Sequence, residues 1–134
     1  MWAVSLTWMS STTYSVRDDR AIWDGLTLRE WVDVLVERLV AAFDPAKIVL
    51  FGSVADGTDG ADSDIDLMVV LDDAPREARR RLMVEMRRAT RGVAAPHDLV
   101  VTSVDDLARF GDCPGATEFE PVAHGLTVYE RVAT

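Results

Sequence analysis

Apolar and polar positions along the chain follow a helical period first and a strand-like grouping afterwards. Over 28–43, Leu28, Trp31, Val32, Leu35, Leu39, Val40 and Phe43 recur at three- and four-residue intervals, the spacing of one helix face. Thr27 stands before this stripe and Glu30 three positions later, a capping-box pattern that predicts the helix start. Asp44-Pro45 predicts its end, because the residue before a proline avoids helical geometry. Two short apolar runs follow, 48–51 and 67–71, each rich in branched residues and bounded by turn residues. Both read as buried strands. Ala78, Leu82, Met86 and Ala89 predict a second helix running to Arg91, with Gly92 as its stop. The run 97–102 predicts a third strand, and Ser103 with Asp106 a capped short helix reaching Phe110. A last short helix is expected to start at Pro121 and stop at Gly125, before a closing strand over 126–129. The expected fold is α/β: a small mixed β-sheet of about four strands with helices mainly on one face.

The first 26 residues fit this pattern least. Trp2, Val4, Leu6 and Trp8 alternate with Ala3, Ser5 and Thr7, a strand period. The basic start of a signal peptide is missing. Three readings compete: an extra edge strand, a disordered leader, or an extension upstream of a start at Met9. The expected division is a largely disordered N-terminal leader over 1–26 and one domain over 27–134.

The stretch 48–71, IVLFGSVADGTDGADSDIDLMVVL, carries the candidate chemistry. Residues two apart in a strand share a face. Asp64 and Asp66 therefore project side by side, while Ile65 and Leu67 point into a core. Adjacent carboxylates repel, and the usual remedies are a shared proton or a divalent cation. Hard oxygen ligands of this kind suit magnesium or manganese. An EF-hand reading of Asp62, Asp64 and Asp66 fails, because Leu67 stands where that loop needs glycine. A P-loop reading fails as well, since GSVADG lacks Gly-Lys followed by Ser or Thr.

Gly52-Ser53, ten further residues, then Asp64-x-Asp66 resembles the signature of the DNA polymerase beta-like nucleotidyltransferase superfamily. The wider context, FGSVADG and SDIDLMVV, resembles its minimal nucleotidyltransferase branch. That family places a third acidic residue on a later strand, and Asp98 in PHDLVV matches it. The resemblance spans 28–130. It implies a metal-dependent nucleotidyltransferase with Asp64, Asp66 and Asp98 as catalytic metal ligands. Magnesium or manganese would be the cofactor and ATP the substrate. Gly52 lets the backbone approach a phosphate, and Ser53 donates to it. Proteins of this branch are commonly paired with HEPN-domain toxins. The resemblance therefore implies an antitoxin that transfers AMP to a hydroxyl of a partner HEPN toxin. Two alternatives are a non-catalytic antitoxin acting by binding alone and a dimeric small-molecule (antibiotic) nucleotidyltransferase. The chain departs from the family in one place: Asp56 occupies a position where many members carry Arg or Lys.

Composition adjusts this picture. The 134 residues carry a net charge of −9, which argues against direct nucleic-acid binding. Arg76, Arg79, Arg80, Arg81, Arg87, Arg88 and Arg91 concentrate the positive charge on one predicted helix. That helix reads as a solvated face or as a docking face for a partner that covers the carboxylates. A single cysteine, Cys113, allows no internal disulfide. No apolar segment is long enough to span a bilayer, so no membrane contact and a cytoplasmic location are expected. The acceptor site is expected to be completed by a partner chain or a second copy, in a hetero-oligomer or homodimer.

Overall fold

The structure, a computed structural model, describes residues 12–132. The alternating segment Trp2 to Trp8 lies outside them. The described chain begins with a three-stranded antiparallel meander, β1 (Tyr14–Arg17), β2 (Arg20–Trp23) and β3 (Leu26–Thr27). The helix α1 (Leu28–Phe43) and the strand β4 (Lys47–Phe51) follow, then the one-turn helix α2 (Ser53–Asp56) and β5 (Ile65–Leu71). A 3-10 turn (Arg76–Ala78) leads into α3 (Arg79–Ala89) and β6 (His97–Ser103). Two short helices, α4 (Val104–Phe110) and α5 (Phe119–His124), precede β7 (Leu126–Glu130). The main sheet has the order β6-β5-β4-β7. β5 and β6 run parallel, joined through α3, and the other pairs are antiparallel. This is the mixed four-stranded α/β sheet expected from the sequence.

Strand alternation divides the core. Ile48, Leu50, Ile65, Leu67, Val69, Leu99 and Val101 face α1 and α3, where they meet the buried Leu28, Val32, Leu35, Leu39 and Met86. Val49, Met68 and Val70 face the other way, with Phe51, Val100 and Leu107 of α4. The two long helices thus share one face, and the second face carries a thinner cover. The predicted capping box is present at α1: the Thr27 hydroxyl accepts from the Glu30 amide at 3.1 Å, and the Glu30 carboxylate accepts from the Thr27 amide at 2.9 Å. Asp44 closes the helix in a left-handed conformation (φ 45°) ahead of Pro45. Ser103 likewise caps α4, accepting from the Asp106 amide.

Two expectations need correction. The final short helix begins at Phe119, ahead of Pro121; Pro121 lies within its first turn, where its missing N–H has no partner to lose. The larger correction concerns 12–26, expected as part of a disordered leader. Both meander turns have two central residues, Asp18-Asp19 and Asp24-Gly25, all with positive φ. Turns of this kind match the twist of antiparallel strands, and Asp-Gly is a favoured pair for them. Ala21 and Ile22 are buried, and the Trp31 indole N–H donates to the Trp23 carbonyl at 2.8 Å. The meander is therefore part of the domain, docked on α1.

Candidate active site

Asp66 is the second residue of β5 and Asp98 the second of β6, and the parallel register sets them opposite each other. Asp64 precedes β5 on the same side. Carboxylate oxygens of the three lie within 4.8 Å of one another. Asp98 is exposed, and Asp64 and Asp66 are half-buried. Ile65 and Leu67, by contrast, are fully buried in the main core, as alternation requires. Burial, and behind it the charges of Asp64 and Asp98, push the Asp66 carboxyl up to about 6. Among the described residues no Lys, Arg or His pairs with any of the three. A cluster of oxygen ligands that repel one another and lack a protein cation is a donor set suited to a hard divalent ion.

Gly52 and Ser53 stand beside this cluster. Phe51 pairs with Asp66 across β4 and β5, so the chain leaves β4 next to the carboxylate. Gly52 has φ 77° and ψ −159°, a conformation essentially restricted to glycine. A Cβ there would also collide with the Asp66 Oδ2 atom. Glycine is thus required twice, by the turn and by the carboxylate. α2 starts immediately at Ser53, and its first amides are unpaired by helix geometry. The Ser53 hydroxyl has no partner among the described residues. Asp56, at the end of α2, is exposed. All five residues picked from the sequence, Gly52, Ser53, Asp64, Asp66 and Asp98, are therefore brought to one place.

His97, pointing away from Asp98, is held by the Ala95 carbonyl at 2.8 Å and the Thr90 hydroxyl at 3.1 Å. The arginine-rich helix α3 packs on the opposite side of the sheet from the two strand carboxylates. Its Met86 is buried among the α1-side residues, whereas Asp66 and Asp98 share the face of Met68, Val70 and Val100. The start of α3 reaches the edge of that second face, where Arg76 and Arg79 border a cavity with Val100. Arg79 is also not free: it donates to Asp106 at 2.6 Å and to the Ala74 carbonyl at 2.8 Å, tying α3 to α4. A cavity of about 440 Å³ beside β6, lined by Arg76, Met83, Val101, Phe110 and Glu118, does not include the carboxylates.

Sequence reasoning missed the residues that support the loop between α2 and β5. Arg20 of β2 donates to Asp59 at 3.0 Å and to the Gly57 carbonyl at 2.8 Å. Tyr14 of β1 donates its hydroxyl to the Ala61 carbonyl at 2.8 Å. The signal available was Asp24-Gly25 between Trp23 and Leu26, a hairpin pair flanked by apolar residues.

The fold and site find relatives among known proteins. The structure matches that of a "putative nucleotidyltransferase" from Sulfolobus solfataricus with a TM-score of 0.58 and 21% identity, over 78% of this chain and 81% of that one. At that identity the match speaks for the fold. No curated protein matches the sequence. The model of the nucleotidyltransferase domain family matches residues 32–111. That span is more than half of the chain, contains the whole acidic cluster with Gly52 and Ser53, and establishes that the protein belongs to the nucleotidyltransferase domain family.

Proposed function

We propose that this chain transfers AMP from ATP to a hydroxyl of a partner HEPN-domain toxin and so acts as its antitoxin. The observation that carries the chemistry is the three-carboxylate cluster of Asp64, Asp66 and Asp98 packed against Gly52. Asp64, Asp66 and Asp98 would hold magnesium or manganese, whose charge would stabilise the negative charge on the phosphates and acidify a bound hydroxyl. Gly52 leaves room for a phosphate against the backbone, and Ser53 donates to it. Asp98, the most exposed of the three, accepts the acceptor's proton. The acceptor oxygen bonds to the α-phosphorus, and the bond to the leaving pyrophosphate breaks. The exposure of Asp98 suits an acceptor that arrives from outside the chain. The link to a HEPN partner rests on the resemblance of FGSVADG and SDIDLMVV to the minimal nucleotidyltransferases.

Incubation with ATP labelled on the α-phosphate, magnesium and a purified HEPN partner tests this. Label on the partner, lost in Asp66→Asn, is expected. Neutralisation of the partner with no label transferred would overturn the enzymatic reading. It would favour an antitoxin that acts by contact, which the exposed Asp56 beside the phosphate turn also favours, since its charge opposes a triphosphate.

A further inference from the structure

Residues 56–64 join the phosphate turn to the first metal-ligand candidate, and they carry Asp56, Asp59, Asp62 and Asp64. Self-repulsion alone would spread such a segment. Its own hydrogen bonds sit at its two ends: Asp56 N–H to Gly52 O, Gly57 N–H to Val54 O and Thr58 N–H to Ser53 O at the start, and Ser63 N–H to Gly60 O with Gly60 N–H to the Ser63 hydroxyl further on. Its remaining anchors come from the N-terminal meander. The Arg20 guanidinium forks between Asp59, 5% exposed, and the Gly57 carbonyl. The Tyr14 hydroxyl holds Ala61, and Gly60 lies against the Asp19 carbonyl. Among the described residues Arg20 is the one cation bonded to this segment. Packing does not replace these bonds. A cleft of about 260 Å³ runs between Tyr14 and Trp23 on one side and Asp62, Ser63 and Pro96 on the other. The loop has space to move into, and directed bonds fix it.

We infer that Arg20 is a positioning residue of the nucleotidyl-transfer site: from outside the matched family region, it holds the loop that sets Ser53 and Asp64 in register with Asp66 and Asp98. Its two bonds act at different points. The Gly57 carbonyl follows α2 directly, so that bond fixes the end of the phosphate turn. The Asp59 pair neutralises one of the segment's four carboxylates and ties its middle to β2. A guanidinium serves both partners because its donors are set in a rigid fork; a lysine ammonium carries the charge without that geometry. The inference rests on the proposed metal-dependent nucleotide site.

The test compares wild type, Arg20→Lys and the charge-neutral pair Arg20→Met with Asp59→Asn. The double variant avoids leaving Asp59 buried and unpaired, which guards against simple unfolding. Manganese affinity, manganese-dependent ATP affinity and amide hydrogen exchange are measured in each. Both variants are expected to exchange faster at the amides of 57–64 with α1 and β5 unchanged, and to bind manganese and ATP about tenfold more weakly. Faster loop exchange with unaltered manganese and ATP affinity would make Arg20 merely structural and overturn the inference. Unaltered exchange would overturn it as well. A wild-type protein that binds no manganese would instead overturn the proposed function, and this inference with it.

Discussion

Asp66→Asn gives a stability change whose size depends on pH. In the folded chain the Asp66 carboxyl rises from the ordinary 3.8 to about 6, through burial and then the charges of Asp64 and Asp98. The folded state therefore holds this proton more tightly than the unfolded state. As pH rises from about 4 to about 6, the unfolded chain sheds its proton first, and stability falls. Above about 6 the whole penalty is present. Its ceiling, from a rise of roughly two pKa units, is about 3 kcal/mol. The carboxylate is partly exposed, and solvent screening reduces the expected value to on the order of 1 kcal/mol. Asn cannot ionise and escapes the penalty. In metal-free buffer, Asp66→Asn should raise the melting temperature at about pH 8 by about 4 °C relative to its effect at about pH 4. Magnesium should reverse the order at the higher pH, stabilising wild type and leaving the variant unmoved. Scanning calorimetry at both pH values, with chelator and with magnesium, measures this. An equal effect of the substitution at both pH values would refute the crowding argument.

Other substitutions probe neighbouring steps. Gly52→Ala places a Cβ against the Asp66 carboxylate at a positive φ; it should cost about 1–3 kcal/mol of stability and weaken magnesium-dependent ATP binding, and unaltered calorimetry on both counts would contradict the close approach. Thr27→Ala breaks the capping box and should cost about 1 kcal/mol in denaturant unfolding; a change within error would show that the meander alone fixes the start of α1. Asp56→Arg, on an exposed position, should tighten triphosphate binding about fivefold; weaker binding would make Asp56 a ligand or a structural partner.

The elements that were legible in the sequence share one property: a local signal agreed with the tertiary outcome. The α1 stripe, its Thr27 cap, the Ser103 cap and the strand runs each carried period and punctuation together, and each formed. The acidic cluster was legible because alternation places Asp64 and Asp66 on one face. Asp98 was legible only through the family resemblance; its place opposite Asp66 comes from the parallel register of β5 and β6, which depends on α3 as a connector. The meander was not recognised because its strands are short: Tyr14 and Val16 alternate with Ser15 and Arg17 over one four-residue strand only, and that strand is exposed throughout. Its turns, Asp18-Asp19 and Asp24-Gly25, were the other local evidence. Arg20 could not be read at all, since its partners lie 37 and 39 residues away. The face occupied by α3 was equally hidden, because a helix stripe tells which side is buried and not which side of a sheet it covers.

The central claim is that Asp64, Asp66 and Asp98 form a divalent-metal centre on which nucleotide binding depends. Calorimetric titration of ATP into wild type and into the variant Asp64→Asn with Asp66→Asn, each with magnesium and with chelator, tests it most directly. The account predicts tight binding in one case only, wild type with magnesium. Equal ATP affinity in chelator, or in the double variant with magnesium, would contradict it.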